Sequence, residues 1–123
     1  MTLIRIKRHF DFVKMRETRL RAFTKSFVLQ VCPNNEQVTC VGFTVSKKIS
    51  KSAVVRNRLR RQMREIVRLS EELQVKYPSH DLVLIARSEA LNRDYHQLAK
   101  DFAYLLDHVH EVSDDKKDTG NSN

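Results

Sequence analysis

The chain has 123 residues, 41% of them hydrophobic, a length and composition that predict one small folded domain. Its 23 lysines and arginines exceed its 15 acidic residues and give a net charge of +8, which favours a polyanionic partner. The longest apolar runs, 82–86 and 102–106, are far shorter than the roughly 20 residues that span a bilayer, and residues 1–25 lack the apolar centre of a secretory signal, so we expect a cytoplasmic protein with no membrane partner.

Apolar spacing divides the first third of the chain into one helix and two strands. A helix is predicted over residues 5–16, where three apolar side chains recur at helical intervals, Ile6, Phe10 and Val13. Strands are predicted over 26–32 and 37–45, the second with alternating character. We expect the two strands to form an antiparallel pair.

The next element is a basic helix that begins near Ala53, with Ser50 or Ser52 as its N-cap. At about 100° per residue, its apolar side chains fall on one side and most of its arginines on the other. The apolar side consists of Val55, Leu59, Met63, Ile66, Val67 and Leu69. The basic side consists of Arg56, Asn57, Arg60, Arg61, Arg64 and Arg68. Such a helix is expected to pack on a sheet and to present a row of guanidinium groups to a partner.

The positive charge is concentrated around this helix. Residues 47–68 hold nine basic residues and one acidic residue, whereas residues 69–123 hold six basic and eleven acidic residues. A block of like charge beside an acidic remainder is typical of a protein that binds a polyanion, and arginine forms bidentate hydrogen bonds with phosphate. The predicted nucleic-acid-binding residues are Lys47, Lys48, Lys51, Arg56, Asn57, Arg58, Arg60, Arg61, Arg64 and Arg68.

The last third of the chain contains one strand and one helix. Residues 81–87 form a nearly continuous apolar strand, as expected for a buried position, and the order strand, helix, strand favours a parallel crossover. A helix is predicted from an Asn92 cap to about residue 110. Residues 113–123 contain no apolar residue and are predicted to be a disordered tail, which leaves residues 1–112 as a single folded domain.

The sequence gives little support to a catalytic or metal-binding function. Its two glycines, Gly42 and Gly120, cannot form a phosphate-binding glycine loop, and the motifs of common nucleotide-dependent enzymes are missing. Cys32 and Cys40 lie on separate predicted strands without a neighbouring histidine, so we expect buried, reduced thiols. We therefore assign no catalytic residue, bound metal or organic cofactor to the polypeptide.

One segment resembles a known family. Residues 46–49 read SKKI, residues 53–61 read AVVRNRLRR, and residues 64–65 read RE. This pattern resembles the protein component of bacterial ribonuclease P, in which an SKK strand end precedes an RNR helix. Supporting similarities extend in family order over most of the chain, residues 5–110.

The resemblance implies an α+β fold of the order α-β-β-β-α-β-α, a two-layer, ribosomal-protein-like sandwich with a left-handed βαβ crossover through the RNR helix. It implies a single RNA-binding domain that is the accessory protein subunit of an endoribonuclease. In that family the protein binds the ribonuclease P RNA and the 5′ leader of precursor tRNA. The RNA subunit hydrolyses the phosphodiester with Mg²⁺ held by the RNA and the substrate, which produces the mature 5′ end of tRNA.

The resemblance also implies roles for individual residues. The RNR-helix residues that face the RNAs would be Arg56, Asn57, Arg58, Arg60, Arg61 and Arg64. A leader cleft between the first helix and the sheet would be lined by Phe12, Arg16 and Gln30. Arg16 and Gln30 stand where other members often have Phe and Tyr, which would shift leader contact from stacking towards phosphate pairing. Arg19 stands where a glycine often ends the first helix.

Three other classes of protein share the basic helix. A structural or ribosomal RNA-binding protein would bind RNA without a processing role, and this is the alternative interpretation. A helix-turn-helix DNA-binding protein is disfavoured because the basic helix follows strands and not a short turn after another helix. A protein nuclease is disfavoured because the two basic segments, residues 1–25 and 47–68, hold few carboxylates for a metal site, namely Asp11, Glu17 and Glu65.

Overall fold

The centre of the structure is a mixed β-sheet. The computed structural model describes residues 4–6, 10 and 12–112, and within this part the sheet has six strands. The strands are β1 (Ile4–Ile6), β2 (Leu20–Phe23), β3 (Phe27–Pro33), β4 (Thr39–Thr44), β5 (His80–Ala86) and β6 (His110–Glu111). They lie side by side in the order β1-β4-β5-β3-β2-β6, so β1 and β6 are the edges.

Four α-helices and a short 3₁₀-helix accompany the sheet in the described part of the chain. They are α1 (Phe12–Thr18), α2 (Ala53–Arg68), α3 (Glu72–Lys76), the 3₁₀-helix Ser88–Asn92 and α4 (Tyr95–Asp107). The order implied by the resemblance is confirmed as α1-β2-β3-β4-α2-β5-α4. The sequence analysis did not anticipate β1, α3, the 3₁₀-helix or β6.

The predicted antiparallel pair of residues 26–32 and 37–45 is wrong, because β5 lies between β3 and β4. β5 pairs with β3 in antiparallel orientation and with β4 in parallel orientation. Leu82, Val83 and Leu84 of β5 are all buried, which is typical of a central strand with both faces covered. Leu82 and Leu84 lie in the main core, and Val83 packs with Met15 on the opposite face. The parallel β4–α2–β5 crossover is confirmed, and its left-handed sense stays a prediction.

The predicted helix over residues 5–16 is wrong at its start. Residues 4–6 form β1, which pairs in parallel with β4, and α1 begins at Phe12. Ile6 and Val13 are 44% and 56% exposed, whereas Met15 of α1 is 3% exposed and packs against the sheet. β1 forms because it satisfies backbone groups of β4 that would otherwise remain unpaired at the edge of the sheet.

A residue in the left-handed region ends α1. Arg19 has a φ of 59°, and its N–H donates to the carbonyl oxygen of Met15 at 3.3 Å. This is the conformation for which glycine is favoured, and a residue with a Cβ adopts it at a cost of about 1 kcal/mol or more. Arg19 thus occupies a position that ends the helix as a glycine would.

The two faces of the sheet are covered unequally. The main core combines β-strand side chains with residues of two helices, Leu59, Met63, Ile66 and Val67 of α2 and Leu98, Phe102, Leu105 and Leu106 of α4. A smaller cluster on the opposite face contains Met15, Cys32 and Val83. The predicted apolar side of α2 is confirmed, except that Leu69 is exposed.

A capping box sets the start of α4. The Asp94 carboxylate accepts a hydrogen bond from the N–H of Gln97 at 2.9 Å, and the Gln97 side chain accepts one from the N–H of Asp94 at 3.0 Å. The predicted Asn92 cap is wrong because Asn92 belongs to the 3₁₀-helix, and the reciprocal pair at Asp94 satisfies two helix donors.

Part of the predicted organisation lies beyond this description. The tail at residues 113–123 lies outside the described residues, so its disorder and the domain limit at residue 112 stay predictions. None of the helices in the described part combines the length and apolar character that a bilayer span requires.

Truncation of Met63 to alanine should destabilise the fold by about 2–5 kcal/mol, because a fully buried side chain is lost between α2 and the sheet. Val54→Ala on the same helix is the control. Val54 is 75% exposed, so this change should alter the free energy of unfolding by less than about 0.5 kcal/mol. Urea unfolding followed by circular dichroism measures both variants, and similar losses would contradict the orientation assigned to α2.

An ion pair between α3 and α4 should make stability depend on acid pH. Lys76 donates to the Asp107 carboxylate, and this hydrogen bond lowers the pKa of Asp107 below its ordinary value of 3.8. The contribution of this carboxylate is therefore present above the ordinary value and is lost as the pH falls through the lowered pKa. Asp107→Asn should reduce the free energy of unfolding at neutral pH, and the difference from the parent should vanish in strong acid.

Urea unfolding at a series of pH values measures this difference. Glu71→Gln is the control, because Glu71 is an exposed carboxylate without an ion-pair partner in the described part of the chain. A difference between Asp107→Asn and the parent that is the same at every pH would show that the ion pair is not its source.

Candidate nucleic-acid interface

The loop before α2 is fastened to the first turn of that helix. The Ser52 hydroxyl accepts a hydrogen bond from the N–H of Val55 at 3.3 Å, which confirms Ser52 as the N-cap. Arg56 Nη1 donates to the carbonyl oxygen of Ser50 at 2.9 Å. These bonds hold against α2 a loop whose exposed basic residues are Lys47, Lys48 and Lys51.

The exposed side of α2 carries a row of five arginines and one asparagine that we call the arginine ridge. It is formed by Arg56, Asn57, Arg60, Arg61, Arg64 and Arg68. Arg61 and Arg64 are exposed and have no hydrogen-bonded partner in the described part of the chain, so their guanidinium groups are available to phosphate. Arg60 is partly buried, and its Nη1 donates to Asn57 Oδ1 at 2.6 Å.

Arg58 lies apart from the arginine ridge, although the resemblance groups it with the other RNR-helix residues that face the RNAs. At about 100° per residue it lies about 200° around the helix axis from Arg56. It lines a depression together with Leu91 and Arg93, next to the 3₁₀-helix. The structure therefore places Arg58 on a different flank of α2, because residues two positions apart on a helix do not share a face.

Glu65 is the single acidic residue among residues 47–68, and it is paired with Arg68. Arg68 Nη2 lies 2.7 Å from Glu65 Oε2, and Arg68 Nε lies 3.2 Å from Oε1. This hydrogen bonding lowers the pKa of the Glu65 carboxyl and raises the pKa of the Arg68 guanidinium. Both groups stay charged, and Glu65 orients the last guanidinium of the arginine ridge.

A second surface lies on the side of the sheet that carries α1. Met15 packs there against Cys32 and Val83, while neighbouring strand positions stay at least partly exposed. Cross-strand pairing aligns these positions, Arg21 with Gln30, Phe23 with Val28, Val28 with Ile85, and Ile85 with Thr44. We call this surface the open sheet face, formed by Arg21, Phe23, Val28, Gln30, Thr44 and Ile85.

One of the three predicted leader-cleft residues can be placed. Gln30 is half-buried on the open sheet face, with its Cα opposite that of Arg21. Phe12 and Arg16 belong to α1, but their side chains lie outside the described part of the structure, so their role in the cleft stays a prediction.

Arg21 is a candidate binding residue that the sequence analysis missed. Its Cα pairs with Gln30 on one side and with His110 on the other, and its Nε atom is buried without a hydrogen-bond partner in the described part of the chain. Ala22, its neighbour, is fully buried, so alternation in β2 points Arg21 to the open sheet face. The strand is four residues long and has no flanking glycine or proline signal, so residue spacing did not locate it, although the resemblance implied a third strand before the basic helix.

One group of side chains has the composition of a metal site. Glu36, Cys40 and Asp81 each place a possible ligand atom within 4.8 Å of the others. Glu36 forms an ion pair with Arg5, and Asp81 Oδ1 accepts a hydrogen bond from Asn34 Nδ2 at 2.9 Å, so both carboxylates already have protein partners. Cys32 and Cys40 are buried free thiols, which confirms that expectation.

Comparison with known proteins shows where this chain belongs. The model of the family described as Ribonuclease P matches residues 2–110. The ribonuclease P protein component of Natranaerobius thermophilus is 34% identical over 103 residues, which cover 84% of this chain and 87% of that protein. The protein component of Citrifermentans bemidjiense is 35% identical over 99 residues, 80% of this chain and 82% of that protein.

A solved structure agrees with the sequence comparisons. The Staphylococcus aureus RNase P protein aligns with a TM-score of 0.69 and 27% identity, covering 84% of this chain and 92% of that one. The matches support the ribonuclease P interpretation and not the alternative of a structural or ribosomal RNA-binding protein. With its SKK strand end, its RNR helix and its sheet all accounted for, the chain belongs to the ribonuclease P protein family.

Proposed function

We propose that this protein works in the cytoplasm, where it binds the ribonuclease P RNA and the 5′ leader of precursor tRNA and assists the Mg²⁺-dependent cleavage that yields the mature 5′ end of tRNA. One observation carries the proposal: the arginine ridge and the open sheet face lie on opposite sides of one sheet. Membership of the family supports the identity of the RNA partner. A protein with two such surfaces can contact two RNA strands at once.

The arginine ridge is suited to the catalytic RNA and to the substrate near the cleaved bond. Arg61 and Arg64 are exposed and have no hydrogen-bonded partner among the described residues, and a guanidinium group pairs bidentately with phosphate. Each phosphate neutralised releases counterions, which supplies affinity without reading the base sequence. A subunit that serves many precursors needs this kind of recognition.

The open sheet face is suited to the single-stranded leader. Phe23, Val28 and Ile85 offer partly exposed apolar surface to unpaired bases, and an aromatic stack is worth about 1–3 kcal/mol per base. Arg21 and Gln30 add a cation and an amide beside this surface. The bases of the leader would therefore contact the apolar side chains of the strands, and one of its phosphates would pair with Arg21.

The protein is proposed to act without a catalytic residue of its own. Between residues 47 and 68 the single carboxylate, Glu65, is hydrogen-bonded to Arg68. One paired carboxylate does not provide the several oxygen ligands that Mg²⁺ prefers. Hydrolysis and its Mg²⁺ are assigned to the RNA subunit and the substrate. The charges of Arg61 and Arg64 reduce repulsion between the two RNAs around the scissile phosphate, which favours cation binding by the RNA.

Three reactions on one gel test the proposal. Protein alone should leave precursor tRNA intact, whereas protein with the ribonuclease P RNA should remove the leader at a Mg²⁺ concentration too low for the RNA alone. The reason is that the protein lowers the electrostatic cost of bringing two RNAs together. Cleavage by the protein alone would contradict the proposal, and RNA binding without faster cleavage would favour the structural alternative.

Replacement of Arg21 by glutamine should weaken binding of leader-bearing precursor tRNA to the holoenzyme about tenfold, or about 1.4 kcal/mol, and should leave binding of mature tRNA unchanged. The slope of log K against log salt should become shallower by about 0.7, as expected for one phosphate contact on a single strand. Equilibrium binding at several salt concentrations measures both quantities.

Lys100→Gln is the matched control for Arg21→Gln. It makes the same charge change at an exposed position of α4 that belongs to neither surface, and should bind the two tRNAs as the parent does. An equal loss of precursor and mature tRNA binding by Arg21→Gln would mean that Arg21 does not contact the leader.

A further inference from the structure

A pocket lies between the edge strand β1 and the last two turns of α2. Its lining residues are Ile4, Ile6, Arg64, Val67 and Arg68, and its volume is about 270 Å³. β1 pairs with β4 so that Ile6 stands opposite Val41, a core residue, which places Ile6 on the α2 side of the sheet. The pocket is therefore on the same side as the arginine ridge and on the opposite side from the open sheet face.

The walls of this pocket combine two kinds of chemistry. Ile4 and Ile6 provide an aliphatic floor with the buried Val67 beneath it, and Arg64 and Arg68 provide two guanidinium groups. Ile6 is 44% exposed, so its side chain offers apolar surface beside the two cations. A ligand that fits must present an apolar face and a negative charge close together.

Glu65 prepares one of these guanidinium groups for a ligand. Its two carboxylate oxygens accept hydrogen bonds from Nε and Nη2 of Arg68, which leaves Nη1 to donate to another acceptor. Arg64 is exposed and has no hydrogen-bonded partner in the described part of the chain. Two guanidinium groups are thus available next to the aliphatic floor, one of them held in a fixed plane.

We propose that this β1–α2 pocket receives one unpaired nucleotide of the ribonuclease P RNA, its base on Ile4 and Ile6 and its phosphate on Arg64 and Arg68. Splayed bases are bound in this way by apolar and guanidinium surfaces, with phosphate held beside them. The volume lies just below the roughly 300 Å³ at which pockets for larger ligands begin, which suits one base and excludes a duplex. The inference rests on the proposed function and adds Ile4 and Ile6 to its binding surface.

The ribonuclease P RNA is the occupant favoured by position. Arg21 of the open sheet face lies on β2, four strand spacings from β1 in the sheet order, which is about 19 Å at about 4.8 Å per spacing. Arg21 also points to the other face of the sheet. A leader bound on the open sheet face therefore does not pass through the pocket.

The test compares full-length variants for binding to the ribonuclease P RNA. Ile6→Ser should weaken binding about tenfold with no change in the salt slope, because the loss is apolar contact with a base. Arg68→Gln should also weaken binding, with a shallower slope, because one phosphate contact is lost. Val54→Ser is the control, since Val54 is an exposed aliphatic residue in the first turn of the same helix, and it should bind as the parent does.

Chemical probing of the RNA bases supplies a second measurement. One unpaired base should be protected from modification in the complex with the parent and reactive in the complexes with Ile6→Ser and Arg68→Gln. Parent-like affinity and protection in both variants would overturn the pocket assignment while leaving the proposed function intact. If Ile6→Ser does not fold, Arg68→Gln decides the question alone, and a parent protein that neither binds the RNA nor speeds cleavage would instead refute the proposed function.

Discussion

The apolar side of α2 is buried against the sheet through Leu59, Met63, Ile66 and Val67, each with an exposed fraction of 4% or less. Because a helix repeats every 3.6 residues, fixing these four side chains also fixes the direction of the arginines between them. Arg61 and Arg64 point outward as a consequence of core packing and not of contacts among themselves. Hydrophobic burial therefore orients the charged surface. Looser packing of the core would make the direction of the ridge side chains less well defined, even with every arginine in place.

Much of the fold was predictable because its strongest patterns are local. The amphipathic spacing of α2, the Ser52 cap and the apolar run of β5 each come from a few neighbouring residues, and all three are found in the structure. The pairing of strands was not predictable in the same way. β3 and β4 are close in sequence, yet the strand between them comes from residues 80–86, and no local signal marks such an insertion. β1 was missed for the same reason. Its three residues form a strand because they pair with the edge of β4, which is distant in sequence.

The candidate site likewise has a part that local spacing predicts and a part that depends on strand pairing. The residues of α2 were identified from one helix face, and the structure brings Arg56, Arg60, Arg61 and Arg64 together as that face requires. Arg58 shows the limit of reading a motif as a unit, because its place in the RNR triplet does not give it the same direction. The open sheet face joins β2, β3, β5 and β4, so Arg21 acquires its neighbours through strand pairing, which sequence spacing does not reveal.

The location of β5 also bears on how the chain is made. β3 and β4 emerge from a ribosome with the short connection 34–38 between them, but they cannot complete a sheet until residues 80–86 have followed. Pairing between distant segments slows folding and leaves strand edges open in the meantime. A nascent chain that stops short of residue 80 holds the whole SKK–RNR segment without the central strand of the sheet on which α2 packs. Co-translational assembly with RNA in the native geometry must therefore wait for the last third of the polypeptide.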